Sequence, residues 1–99
     1  MHLTPLKTHA IKVVVAAQTP RLVKCRGGFR PATGPGADSE VINLRTIRAL
    51  EADQLIRLDD ELFPSEANLT PRGIDAAREI YGNTPRADQV EQLAKAVLQ

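Results

Sequence analysis

The sequence predicts an α+β fold, with helices around a small antiparallel sheet of two or three strands and an extra helix at the C-terminal end. Three observations predict it. Four Thr-Pro pairs, at 4–5, 19–20, 70–71 and 84–85, offer helix starts, because Thr caps a helix and Pro suits its first position. Apolar residues recur at three- and four-residue spacing after three of these pairs. Short apolar stretches bounded by turn residues lie between them and read as strands.

The first helix spans Pro5 to Ala17, with Leu6, Ala10, Val13, Val14 and Ala17 on its apolar side. Its β-branched run Val13-Val14-Val15 is the one feature against it. Residues Arg21 to Arg26 read as a strand or hairpin arm, with a one-turn helix as the alternative. As a strand, it sets Val23 and Cys25 on one face and Lys24 and Arg26 on the other. Residues 27–36 hold four Gly and two Pro and read as a loop. That loop has no Lys, so it is not a phosphate-binding loop of the Gly-rich Lys-Ser/Thr kind.

The next helix lies within Ser39 to Asp53, where Val41, Leu44, Ile47 and Leu50 form one row and Arg45, Arg48 and Glu51 another. Either Asp38 or Ser39 caps it, or Asn43 caps a shorter helix and Val41-Ile42 lie extended. Leu55 to Leu58 reads as a short strand, Asp59 to Glu66 as a turn, and Ala67 to Leu69 as the returning strand. Thr70-Pro71 opens a helix that Gly82 ends. Thr84-Pro85 opens the last helix, whose stripe is Val90, Leu93, Ala94 and Val97.

Ninety-nine residues, 42 % hydrophobic and 25 % charged, suit a single domain with one modest core. Within 1–99, residues 1–38 hold the first helix, the basic strand and the Gly/Pro loop. Residues 39–82 hold the central helix, the turn and the helix after it, and 83–99 the last helix. One cysteine excludes an internal disulfide and a Cys-based zinc site. The acids Asp59, Asp60 and Glu61 lack the alternation and Gly of a calcium loop. Cys25, His2 and His9 have no spacing that couples them as nucleophile and base. No cofactor, metal or catalytic residue is expected, and Cys25 reads as a small buried apolar residue. The longest apolar run, Val13 to Ala17, is far short of the roughly 20 residues of a membrane span. The start, Met1-His2-Leu3-Thr4-Pro5, lacks a signal-peptide layout, so a cytoplasmic protein with a reduced thiol is expected.

The net charge of +1 gives no global pull toward nucleic acid or membrane. The halves differ: residues 1–57 carry nine Lys/Arg against four Asp/Glu, and residues 58–99 carry four against eight. Only the N-terminal half suits a polyanion. The same asymmetry suits self-association or an ordinary solvated surface.

Residues 39–82 resemble the second half of a winged helix-turn-helix domain of the MarR type, as found in many small phage-encoded proteins. The residues that carry the likeness are Arg45-Thr46-Ile47-Arg48-Ala49-Leu50, then Leu55-Ile56, then Leu69-Thr70-Pro71-Arg72-Gly73. In that family a recognition helix ends in Leu, a strand and wing follow, and the wing returns into Leu-Thr-x-x-Gly. Leu69 then ends a strand in the core, Thr70 caps the helix and Gly73 permits close backbone packing. The pattern departs in three places. Asp53-Gln54 replaces the usual Gly before the strand, so one of the two adopts a left-handed conformation, which Asp tolerates better than most. Only one clear helix precedes the central one, where the family has at least two. The wing carries Asp59, Asp60, Glu61 and Glu66 and no base, which sets like charges beside DNA phosphates.

The resemblance implies a small non-enzymatic transcriptional regulator that binds double-stranded DNA. Arg45 and Arg48 then contact bases or phosphates, Asn43 and Thr46 add polar contacts, and Arg21, Lys24, Arg26 and Arg30 meet the backbone. The plainer reading of Arg45 and Arg48 is a solvated helix face. Phe29 either stacks on a partner or anchors its loop to the core. The last helix either folds back on the first or forms a homodimer through Val90, Leu93 and Val97. The alternative function, from another class, is a protein-interaction module that uses the basic strand, Phe29 or the acidic wing against a protein such as transcription machinery.

Overall fold

A computed structural model, describing residues 3–32, 40–82 and 84–98, sets four helices on one side of a four-stranded antiparallel sheet. The described elements are α1 (Pro5–Ala17), β1 (Arg21–Cys25), β2 (Gly28–Pro31), α2 (Leu44–Ala52), β3 (Ile56–Leu58), β4 (Glu66–Leu69), α3 (Pro71–Tyr81) and α4 (Ala87–Val97). The strand order is β2-β1-β4-β3. The expected sheet of two or three strands is thus four strands wide. The added strand comes from the residues expected to be a loop: Gly27, at φ 90, makes the turn, and Gly28–Pro31 returns along β1. Residues 33–36 of that expected loop, and Asp38 and Ser39 as caps, lie outside the described residues.

Register fixes what each strand buries. Pro31, Leu22, Ala67 and Leu58 are successive partners across the four strands, and all are buried. The rows on the other face are Arg30-Val23-Glu66 and Arg21-Asn68-Arg57. Val23 and Cys25 do share a face, as expected, but it is the uncovered one, where both are half-buried. Cys25 is therefore not a core residue. Leu22 is the residue of β1 that enters the core, and Phe29 does the same from β2. Phe29 is an anchor, with no surface left to stack on a partner.

Helix ends follow the caps in three of four cases. Thr4, Asn43 and Thr70 each accept a hydrogen bond from the backbone N–H three residues on, which satisfies a donor the helix cannot. Asn43 settles the start of α2 in favour of the shorter helix, and Ile42 lies extended, bridged to Phe29. The fourth case is a correction: Thr84-Pro85 forms a turn, α4 starts two residues later, and Arg86 at its N-cap provides no side-chain bond. The left-handed residue before β3 is Gln54, at φ 63, rather than Asp53. Asp53 is drawn instead into a 2.6 Å ion pair with Lys7 that ties α2 to α1.

The buried side of α1 is Ala10, Ile11, Val14 and Val15. It is turned from the expected stripe, and Leu6 stays exposed. On α4, Val90 and Leu93 are 1 % and 2 % exposed, and Val97 packs partly against the same core. Of the two readings of this stripe, packing within the chain is present: Val90 and Leu93 lie in its own core, and α4 packs against α3 and α1. No described helix is long and apolar enough to cross a membrane.

Candidate functional site at one end of the sheet

Three segments meet at one end of the sheet. The β1–β2 turn lies there, because β1 runs antiparallel to both β2 and β4. The β3–β4 turn, residues 59–65, lies beside it: the Lys24 N–H donates to Ser65 O at 2.9 Å. The lead into α2 closes the group. Phe29 and Ile42 exchange backbone bonds of 2.8 and 2.7 Å, and Gly28 makes room for them. A Cβ on Gly28 would collide with Ile42 O, and φ 153 there is itself costly for an L side chain.

This end carries four of the six large apolar side chains that are exposed among the described residues. Leu62 and Phe63, in the β3–β4 turn, are 79 % and 80 % exposed. Val41 lies against Gly27 of the β1–β2 turn, and Leu44 opens α2. Arg48 lies one turn beyond Leu44 on the same side of the helix, and its guanidinium donates to Glu61 O at 3.1 Å. Through this bond the exposed side of α2 adjoins the turn that carries Leu62 and Phe63. Lys24 and Arg26 stand at the adjoining turn, and Arg45 precedes Arg48 on the exposed side of α2.

The acids of the β3–β4 turn are mostly engaged in folding it. Asp59 accepts bonds from the Ser65 N–H at 2.9 Å, the Ser65 hydroxyl at 2.6 Å and the Glu66 N–H at 3.1 Å. These donors, the Ser65 hydroxyl first, hold its carboxyl at about 2, below the ordinary 3.8. Asp60 accepts from the N–H groups of Leu62 and Phe63 at 2.8 and 3.1 Å. The two carboxylates build a tight turn whose apolar pair is left outside, and Pro64 is its buried residue.

The expected DNA-contacting residues fall into two groups. Asn43, Arg45, Thr46, Arg48, Lys24 and Arg26 belong to the end just described, and Arg21 and Arg30 to the uncovered face of the sheet. Two of the first group are otherwise employed. Thr46 is only 7 % exposed, so its hydroxyl is not presented to a groove. Asn43 Oδ1 is committed to the Thr46 N–H at 2.8 Å. Arg21 is held by Glu66 at 3.1 Å. Arg48 meets Glu61 rather than the acids of its own helix.

His9 lies 2.6 Å from Glu40, and His2 lies outside the described residues. Among the described residues no group of three or more His, Cys, Asp or Glu is placed to hold a metal ion. The apolar character of this end was missed in the sequence. A signal was there: Leu62 and Phe63 are adjacent, and neighbours in an extended chain cannot both turn inward. Arg57 was missed too, although its place between Ile56 and Leu58 marks it as outward-facing.

Comparison with protein-family models, with curated proteins and with solved structures finds no match for this chain.

Proposed function

We propose that the protein is a small non-enzymatic regulator that works by docking another protein on the end of the sheet formed by the β1–β2 turn, the start of α2 and the β3–β4 turn. The observation that carries this reading is the exposed set Val41, Leu44, Leu62 and Phe63, gathered on one surface and rimmed by Lys24, Arg26, Arg45 and Arg48. Exposed apolar groups gathered inside a charged rim are the anatomy of a protein-binding patch. The partner surface has matching chemistry: an apolar centre flanked by Asp and Glu.

Direct reading of DNA by α2 draws support from Arg45 and Arg48 alone. Thr46 is buried, Asn43 is a cap, and the turn beside the helix is acidic. A duplex phosphate backbone is repelled by that turn. A protein partner with an apolar centre meets Phe63 first.

The test compares wild type with the double variant Leu62→Ser, Phe63→Ser as affinity baits in the source cells, read by quantitative mass spectrometry. Both side chains are exposed, so stability should change by no more than about 0.5 kcal/mol. A protein retained by wild type and by Arg30→Glu, but lost with the double variant, supports the reading. A wild-type bait indistinguishable from the double variant contradicts it. So does duplex DNA binding that disappears with Arg45→Ala and Arg48→Ala, since that outcome restores α2 as a DNA-reading helix.

A further inference from the structure

The opposite surface of the sheet has a different composition. No described helix covers it. Its two rows are Arg30-Val23-Glu66 and Arg21-Asn68-Arg57. Glu66 is its one acid, and that carboxylate is occupied: Arg21 lies 3.1 Å from it and the Asn68 amide donates to it at 3.1 Å. The side chains of Arg30 and Arg57 make no ion pair or hydrogen bond with any described residue. Beyond Arg57 the surface dips into a hollow of about 620 Å³, bordered by Asn68, Thr70 and Glu51, with Arg72 on its far lip. Arg72 too is without a described ionic partner. Arg30 and Arg57 thus stand on the sheet face that no described helix covers, and Arg72 stands on α3 beside it, none of them paired with a described acid, while Glu51 is the acid at the border of the hollow.

Neighbouring strands lie about 4.8 Å apart, so residues two strands apart in one row are separated by roughly 10 Å. Arg57 and Arg21 have that relation, and Arg30 stands on the strand beyond Arg21. Cations spread over several strands in this way suit an extended array of negative charges better than one small anion. The face also lacks what single strands need. The three aromatic residues of the chain are Phe29, Phe63 and Tyr81. Phe29 and Tyr81 are buried, and Phe63 stands in the β3–β4 turn, so no ring here can stack on a base. Of the other side chains in the two rows, Arg21 and Asn68 are engaged with Glu66 and Val23 is apolar, so none of them is left to read a groove.

We infer that the sheet face that no described helix covers, through Arg30 and Arg57 with Arg72 of α3 at its edge, binds the phosphate backbone of double-stranded DNA without reading its sequence. Phosphate contacts position a protein on a duplex but carry no sequence information. This surface is separate from the protein-docking end, so the two stand or fall separately. A chain that uses both holds a protein partner beside DNA.

The experiment is electrophoretic or fluorescence-anisotropy titration of the full chain with a 25-base-pair duplex over a range of salt. Three backbone contacts give a slope of log affinity against log salt of about −3, so affinity falls about forty-fold between 50 and 200 mM salt. Arg30→Gln and Arg57→Gln should each lower the slope by about one. The double charge reversal Arg30→Glu, Arg57→Glu should abolish binding with its circular dichroism and melting curve unchanged, since both side chains are exposed. Unrelated duplex sequences should bind alike, and Leu62→Ser with Phe63→Ser should leave binding intact. The inference is overturned by no binding at 20 mM salt or by equal binding of the charge-reversed variant. It is likewise overturned by tighter binding of single strands, or by loss of binding with Arg45→Ala and Arg48→Ala in place of the sheet arginines.

Discussion

Gly73 shows how one missing atom positions the surface around it. It stands in the first turn of α3, where helix propensity favours Ala by about 1 kcal/mol. Yet a Cβ there would lie 2.6 Å from Leu69 Cδ1 and closer still to Leu55 O. Leu55 O is backbone, and it already accepts the Thr70 N–H at 3.0 Å, so it cannot swing aside. Gly73→Ala should therefore lower stability by about 1–2 kcal/mol in urea denaturation, against the sign that propensity alone predicts. Asp59 supplies a second prediction at this scale. Its carboxyl sits at about 2 in the folded chain and near 3.8 when released, so its contribution is complete above about pH 4. That contribution is lost as pH falls toward about 2, where Asp59 protonates in the native state. A carboxyl NMR titration should show the low midpoint, and Asp59→Asn should remove the matching acid shift of the Ser65 and Glu66 amides.

The elements were legible in the sequence where the cap and the periodicity agreed. The Pro5–Ala17 helix, the strands either side of Phe63 and the Thr70–Gly82 helix are present as read, within a residue or so at the ends, and of the two starts left open for the central helix the one at Asn43 is present. Strand β2 was hidden because Gly27-Gly28 and Pro31 all signal a loop, whereas its pairing comes from β1, six or so residues back along the chain. The start of α4 was misplaced because Thr84-Pro85 serves a turn as well as a cap. Sequence alone left α4 open between self-packing and dimerisation, since an apolar stripe does not specify its partner. Packing places Leu93 in the chain's own core. Leu93→Ala should cost about 2–5 kcal/mol in a denaturant titration, with no dependence on protein concentration. A midpoint that moves with concentration would restore an intermolecular role. Arg78 and Glu91, bidentate at 3.0 Å in both bonds, add a charged clasp between α3 and α4. Each raises or lowers the other's pKa toward the charged form.

At the scale of the whole molecule, the sheet acts as a partition. The basic N-terminal half was legible from charge counts, but those counts could not show that Arg21 and Arg30 face one way while Arg45 and Arg48 belong to another surface. Cross-strand register made that division, and register is a long-range property of β1 with β4. The expected order of central helix, hairpin and following helix is present as α2, β3–β4 and α3. Between α1 and α2 the described chain provides a β hairpin, where the likeness calls for a supporting helix. That hairpin places Lys24 and Arg26 beside an apolar turn. The resulting end of the molecule carries exposed Leu62 and Phe63 beside Lys24, Arg26, Arg45 and Arg48, while Arg30 and Arg57 lie on the sheet face that no described helix covers.

A photo-reactive amino acid placed at Phe63, with the same group at Arg57 as the control, tests the docking surface most directly in the source cells. The docking end predicts one dominant protein adduct from position 63, absent from position 57 and lost when Arg45 and Arg48 are changed to Glu. Adducts of equal pattern from both positions, or none from position 63, would contradict it.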